Sequence, residues 1–255
     1  MKRFLKIYLD KPELAGLALL IVLIAIFQIK SNGVLLSFEN IRGIMGLLPE
    51  IALVSIGVTI LMICGEFDLS VGSVFALMPM SIAVMLNSGV PFSAALLIGL
   101  LISAAVGLVN GYVTLHFSIP SFITTLGMLF IARSLTIVIS GGFPPLLPDN
   151  LPTWLFTDYI FQGSILRMSF IWFAVIAVLA TALLSLTNFG NWIRATGGFN
   201  EAAASMGIPV KRVKIVCFML CSVLAGFAGL LQVLRLGSPC PRSAKVSNFR
   251  PSPRP

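Results

Sequence analysis

Charge is what this chain has least of. Only 10% of its 255 residues are Asp, Glu, Lys or Arg, while 58% are hydrophobic, and the mean hydropathy is +1.03. A soluble globular domain carries about a quarter charged residues, so this balance excludes one and requires an integral membrane protein. There is one histidine, His116, in a short polar stretch without catalytic or metal-ligating partners; it reads as a solvated or interfacial residue. The four cysteines form neither a CxxC nor a zinc spacing, and Cys64, Cys217 and Cys221 lie in apolar runs as small core residues. No metal site is expected. GxxxxGK[ST], HExxH and GxSxG are all missing, so the chain has no P-loop for ATP and no nucleophile–base pair for an intramembrane hydrolase. The net charge of +8 is scattered, and four of the seventeen basic residues fall after Ser238, which argues against nucleic acid as a partner.

What is present is a series of apolar runs. The first, Leu14 to Ile29, follows a basic N-terminus (Lys2, Arg3, Lys6, Lys11) and is closed by Lys30. A cleaved signal peptide has the same basic and apolar regions, but bulky SNGVLLSFEN follows where a small-residue cleavage site belongs, so the run reads as a retained span. Further runs cover roughly 44–64, 71–87, 92–113, 121–140, 168–187 and 213–235, each near the length that crosses a bilayer, with 71–87 the shortest. The expected fold is all-α, a polytopic transmembrane helical bundle of about seven spans. With the N-terminus in the cytoplasm, the basic loop 188–214 (Arg194, Lys211, Arg212, Lys214) lies inside, and the connection 141–167, with one basic residue, lies outside. That arrangement obeys the positive-inside rule.

The longest polar island with clustered basic residues is NFGNWIRATGGFNEAAASMGIPVKRVK, residues 188–214. Gly197 and Gly198 are expected to break the preceding structure, with Asn200 as N-cap of a short helix and Glu201 in its first turn. Ala202, Ala203 and Ala204 favour that helix, and Gly207 with Pro209 ends it. Two turns do not hold a helix in water, so this one needs packing from elsewhere. The plain alternative is a solvated loop with one helical turn. A second polar stretch, GEFDLSVGS at 65–73, holds Gly65, Glu66, Asp68, Ser70 and Gly72 between two apolar runs, where Asp68 or Ser70 is placed to cap the next helix. Within the spans, Glu50, Asn110 and Arg133 stand out, since charge in hydrocarbon is costly and such groups should face protein or a water-filled path. Helix–helix contact for Asn110, and an interfacial position for Glu50 and Arg133, explain them as well as a solute pathway does.

These stretches carry a resemblance. WIRATGGFNEAAASMGIPVKRVK resembles the coupling loop of ABC-transporter permeases, in the branch importing ribose, xylose and related simple sugars alongside branched-chain amino acids. GEFDLSVGS and NGYVTLHFSIPSFITTLGMLFIARSLTIVISGG, 110–142, resemble that branch in the same order, over roughly residues 40 to 238. Two departures are visible: Phe199 stands between the glycine pair and Asn200, and Gly65-Glu66-Phe67 replaces the usual Gly-Gly-Ile. The resemblance implies a permease subunit of an ATP-driven importer of a sugar or similar small polar solute, in the bacterial inner membrane. It implies ATP bound by a separate ATPase subunit docked on Arg194, Gly197, Gly198, Asn200, Glu201, Ala202, Ala203 and Gly207, and no cofactor in this chain. It further implies a second permease subunit, an extracytoplasmic solute-binding protein and contact with membrane lipid. Gly65, Asp68, Ser70 and Gly72 would then be a structural or pathway motif, and Glu50, Asn110 and Arg133 pathway residues.

A permease domain over 1–238 is expected, with 239–255 as a separate, disordered tail: PCPRSAKVSNFRPSPRP has five prolines, four basic residues and no acid. A truncated or frame-shifted reading frame would give such a tail, and a non-functional remnant is then the rival reading. An ion-coupled secondary transporter is a further rival, for which Glu50 and Arg133 are a thin supply of ionisable groups.

Overall fold

Apolar runs bounded by glycine, proline and polar residues become helices here, and the computed structural model shows ten of them among the residues it describes: 12–143, 147–148, 151–161 and 163–237. They are α1 (Pro12–Lys30), α2 (Phe38–Ile63), α3 (Val71–Asn87), α4 (Phe92–His116), α5 (Ser121–Ser140), α6 (Thr153–Phe156), α7 (Met168–Leu186), α8 (Asn188–Gly198), α9 (Asn200–Ser205) and α10 (Val210–Gly237). The only β feature among the described residues is an isolated antiparallel bridge between Tyr159 and Arg167. The N-terminal basic cluster and the tail 239–255 lie outside the described residues.

Five helices, α2, α4, α5, α7 and α10, are long and apolar enough to cross a membrane. The other two expected spans are shorter as apolar helices, Gly16–Lys30 within α1 and α3. The expectation of about seven spans is therefore met for five. At 17 residues α3 is about 26 Å long, a little under the hydrocarbon thickness of about 30 Å.

The chain divides into two compact units, residues 1–47 and 48–255. In the first, α1 is apolar on all sides, and Asn32 and Gly33, both at positive φ, turn the chain after it. The Gln28 side chain closes that turn by accepting from the Leu36 N–H at 2.9 Å and donating to the Gly33 carbonyl at 3.2 Å. Ser37 then caps α2, its hydroxyl accepting from the Asn40 N–H at 3.3 Å.

In the second unit, α10 is the central helix, packed mainly on α3 and α4. Close approach to α4 depends on Gly107, where a Cβ would stand 2.5 Å from the Phe218 carbonyl oxygen. Two buried clusters lie along α10. One joins Ile60, Leu61, Cys64, Ile193, Cys217 and Phe218; the other joins Leu53, Met78, Ile82, Phe156, Leu230 and Leu231. The first lies toward what we call the motif end, where 64–70, 114–121 and 188–214 meet; the second lies toward the far end. By contrast α7 has Ser169 as its one buried residue, and its others are half-buried or exposed.

Candidate functional site at the motif end

Thr187 starts the polar island. Its hydroxyl accepts from the Gly190 N–H at 3.1 Å, capping α8, and Arg194 donates to the Leu184 carbonyl. Two expectations are corrected here. Gly197 and Gly198 do not break the chain; they are the last two residues of α8. Gly197 is required by packing, because a Cβ there would overlap the Ile63 carbonyl oxygen at the end of α2. Nor is Asn200 an N-cap. The extra residue Phe199 adopts the extended cap conformation (φ −154°, ψ 103°), its carbonyl accepts from the Ala203 N–H at 3.0 Å, and Asn200 becomes the first residue of α9. At the other end Gly207, at φ +82°, stops the helix as expected, with the Gly207 N–H donating to Ala204 at 2.9 Å and the Ile208 N–H to Ala203 at 3.1 Å.

The packing that so short a helix needs comes partly from its own chain. Ala203 is buried, whereas Glu201, Ala202 and Ala204 are exposed. Asn200, with its amide oriented to suit its neighbours, donates to the Thr196 carbonyl at 2.6 Å and accepts from Lys214 Nζ at 3.2 Å. The same ammonium donates to Glu66 Oε1 at 2.5 Å, so the 188–214 segment is tied by charge to the break between α2 and α3. Beside α9 runs an open groove of about 460 Å³ lined by Asn200, Glu201, Ala204, Ile208, Pro209, Val210, Lys211 and Arg212.

The 64–70 break is held in a specific shape. Gly65 takes φ +82° and lies against Gly197. Asp68 Oδ1 accepts from the Ser70 N–H at 2.7 Å and the Ser70 hydroxyl at 2.6 Å, just before α3 begins. Asn110 Nδ2 donates to Ser70 Oγ at 2.9 Å and reaches Asp68 Oδ2 at 3.5 Å. Burial pushes the Asp68 carboxyl above its ordinary value, while the hydrogen bonds from Ser70 and Asn110 pull the other way. Two further backbone N–H groups of the break find hydroxyls on α5: Phe67 donates to Ser121 Oγ at 3.2 Å and Leu69 to Thr125 Oγ1 at 3.1 Å. Gly72 lies in open space.

Asp68 and Ser70, one motif in the sequence, thus form a network with Asn110, which was read apart from them. Glu50 is elsewhere, at the far end, buried and paired with Arg235 through contacts of 2.6 and 3.2 Å. Arg133 does not face the interior. It is exposed on α5, which packs on α3 and α4 with its other face open, and among the described residues no hydrogen bond or ion pair is found for it. Sequence reasoning missed Ser121, Thr125, Arg235 and the role of Lys214. The first two sit inside the motif already quoted, and a polar side chain at the start of a span opposite a polar loop was the available signal.

Residues 40–249 match the family described as branched-chain amino acid transport system / permease component. The chain belongs to that family. The match runs past Ser238, where the sequence reading ended the resemblance. The chain is similar to the xylose/arabinose import permease protein XylH of Sulfolobus acidocaldarius, 33% identical over 227 residues, covering 85% of this chain and 62% of that one. It is similar to the L-arabinose ABC transporter permease protein AraH of Azospirillum brasilense, 34% identical over 212 residues, 81% of this chain and 61% of that one. With the ribose import permease protein RbsC of Escherichia coli K12 the identity is 32% over 234 residues, 90% and 71% of the two chains. The chain therefore spans less than two thirds of the length of the first two relatives. No solved structure matches it. The family is one of transport permeases, and the five long apolar helices fit a multi-pass membrane protein.

Proposed function

We propose that the chain is the membrane-spanning permease subunit of an ATP-driven importer for a sugar or a similar small polar solute. Its family and the sugar import permeases to which it is similar support this reading. The observation that carries it is the meeting of three motif segments at one end, with an exposed short helix and an open groove between it and the first turn of α10. In this reading a separate ATPase subunit binds ATP and docks on the segment that carries Arg194, Gly197, Gly198, Asn200, Glu201, Ala202 and Gly207, with the buried Ala203 seating α9 on its own chain. The motif end and the N-terminus are cytoplasmic, the chain crosses the inner (plasma) membrane seven times, and residues 1–238 form the permease domain. A second permease subunit completes the path, and a solute-binding protein delivers solute at the far end. Gly65, Asp68, Ser70 and Gly72 shape the break, with Asn110 bracing it, and no cofactor resides in this chain.

The test is the double variant Glu201→Ala/Gly207→Ala. Glu201 is exposed beside the groove, and alanine at φ +82° strains the end of α9. With the ATPase and solute-binding protein present, uptake of labelled ribose, arabinose or xylose should fall while membrane insertion and ATP hydrolysis persist. Uptake equal to that of the parent chain would refute the docking assignment.

A further inference from the structure

The ion pair Glu66–Lys214 joins two segments that the motifs describe separately, and its acid stands where the resemblance leads one to expect glycine. Both side chains are nearly enclosed, 11% and 7% exposed. Lys214 lies in the second turn of α10 and is buried, so its charge needs an acid beside it. An ammonium has three donors. Here one serves Glu66 at 2.5 Å and another serves Asn200, the first residue of α9, at 3.2 Å. Two residues beyond Glu66 lies Asp68, which holds Ser70 and, through it, Asn110 on α4. There is little slack in the path, since Gly197 abuts the Ile63 carbonyl and Phe67 and Leu69 are hydrogen-bonded to α5.

We propose that Glu66 and Lys214 form a charge latch that positions the break between α2 and α3 relative to α9, so that displacing α9 moves the Asp68–Ser70–Asn110 network. What displaces α9 rests on the function proposed above; the latch itself does not. Glu66 is then a positioning residue, acting through Lys214.

Hydrogen–deuterium exchange of the whole chain in lipid nanodiscs tests the latch without any partner. Glu66→Gln and Lys214→Met should each raise amide exchange in 64–70 and in 200–207 together, by about tenfold, the scale of a typical coupling between sites. The charge swap Glu66→Lys/Lys214→Glu should return both segments toward the parent values, and exchange at 151–161, at the far end, should stay unchanged in all variants. Loosening of one segment alone, a swap no better than the single variants, or loosening of the far end as well would each overturn the latch. The second measurement is uptake of labelled ribose, arabinose or xylose by vesicles holding the chain, its ATPase and its solute-binding protein. Glu66→Gln should lower uptake by about tenfold with hydrolysis retained, and unchanged uptake would overturn the positioning role. If the parent chain takes up none of the three sugars, the proposed function falls, and exchange still decides the latch.

Discussion

The two ends of α10 use the same kind of bond for different purposes. At the far end Arg235 grips Glu50 with two nitrogens, so the pair nearly satisfies itself between two long helices. Around it the packing is aromatic: Phe156 lies parallel to Trp172 at 5.8 Å and edge-on to Phe92 at 5.7 Å, and Trp172 Nε1 donates to the Leu155 carbonyl at 2.9 Å. Arg167 covers the Tyr159 ring at 4.2 Å and donates to its hydroxyl at 2.7 Å. At the motif end Lys214 makes a single contact to Glu66 and shares itself with an exposed helix. Hydroxyls and amides lie about it, over a cluster that holds Cys64, Cys217 and a single fully buried ring, Phe218. One end is built to stay, the other to be pulled. Where ion pairs sit matters less than what else each partner holds.

This contrast is open to attack by substitution. The largest effect is expected from Glu50→Ala, which strands Arg235 in a buried site; thermal unfolding in detergent should show a loss of about 3–5 kcal/mol. The double variant Glu50→Gln/Arg235→Met, leaving no buried charge, should recover most of it. Gly197→Ala comes next, since the Ile63 backbone must shift to admit the methyl group; about 1–3 kcal/mol should be lost, with exchange rising in 188–207. Asp68→Ala should cost about 1–2 kcal/mol by leaving the Ser70 N–H and hydroxyl without their acceptor, whereas Asp68→Asn, which still accepts, should be milder. If the two Asp68 variants fold equally well yet both abolish transport, the carboxylate acts in transport beyond bracing the break. The smallest effect belongs to Trp172→Phe, which keeps the stacking and removes one hydrogen bond, about 1 kcal/mol by the same unfolding measurement.

The helices were legible because hydropathy alone marks them: the runs at 71–87 and 121–140 coincide with α3 and α5 residue for residue. The end of α9 was legible for a local reason too, Gly207 being the residue suited to a left-handed stop. Its beginning was not. Gly197 and Gly198 read as breakers from propensity, yet tertiary contact with Ile63 keeps the first inside α8, and Phe199 takes the cap that Asn200 was given. Pairings were hidden by distance along the chain. Glu50 and Arg235 are 185 residues apart and Glu66 and Lys214 are 148 apart, and nothing local in either member names the other. Asp68 and Ser70 were legible as the lead-in to α3, but neither side chain caps it, since Asp68 spends its acceptor on Ser70. The hydroxyls of Ser121 and Thr125 that hold the same loop were ordinary polar residues until the fold brought them near.

The spacing of the two cations on α10 sets a length scale. Lys214 and Arg235 are 21 residues apart on one unbroken helix, which is about 32 Å along its axis and close to the hydrocarbon thickness of a bilayer, about 30 Å. Each is tied to an acid on or just beyond α2, so two neighbouring helices are pinned at two levels about 32 Å apart along α10. A thinner membrane is met by tilting such a pair as a unit, since sliding one helix past the other would part a carboxylate from its cation. Bilayer thickness therefore acts on the inclination of the α2–α10 pair and leaves its register alone.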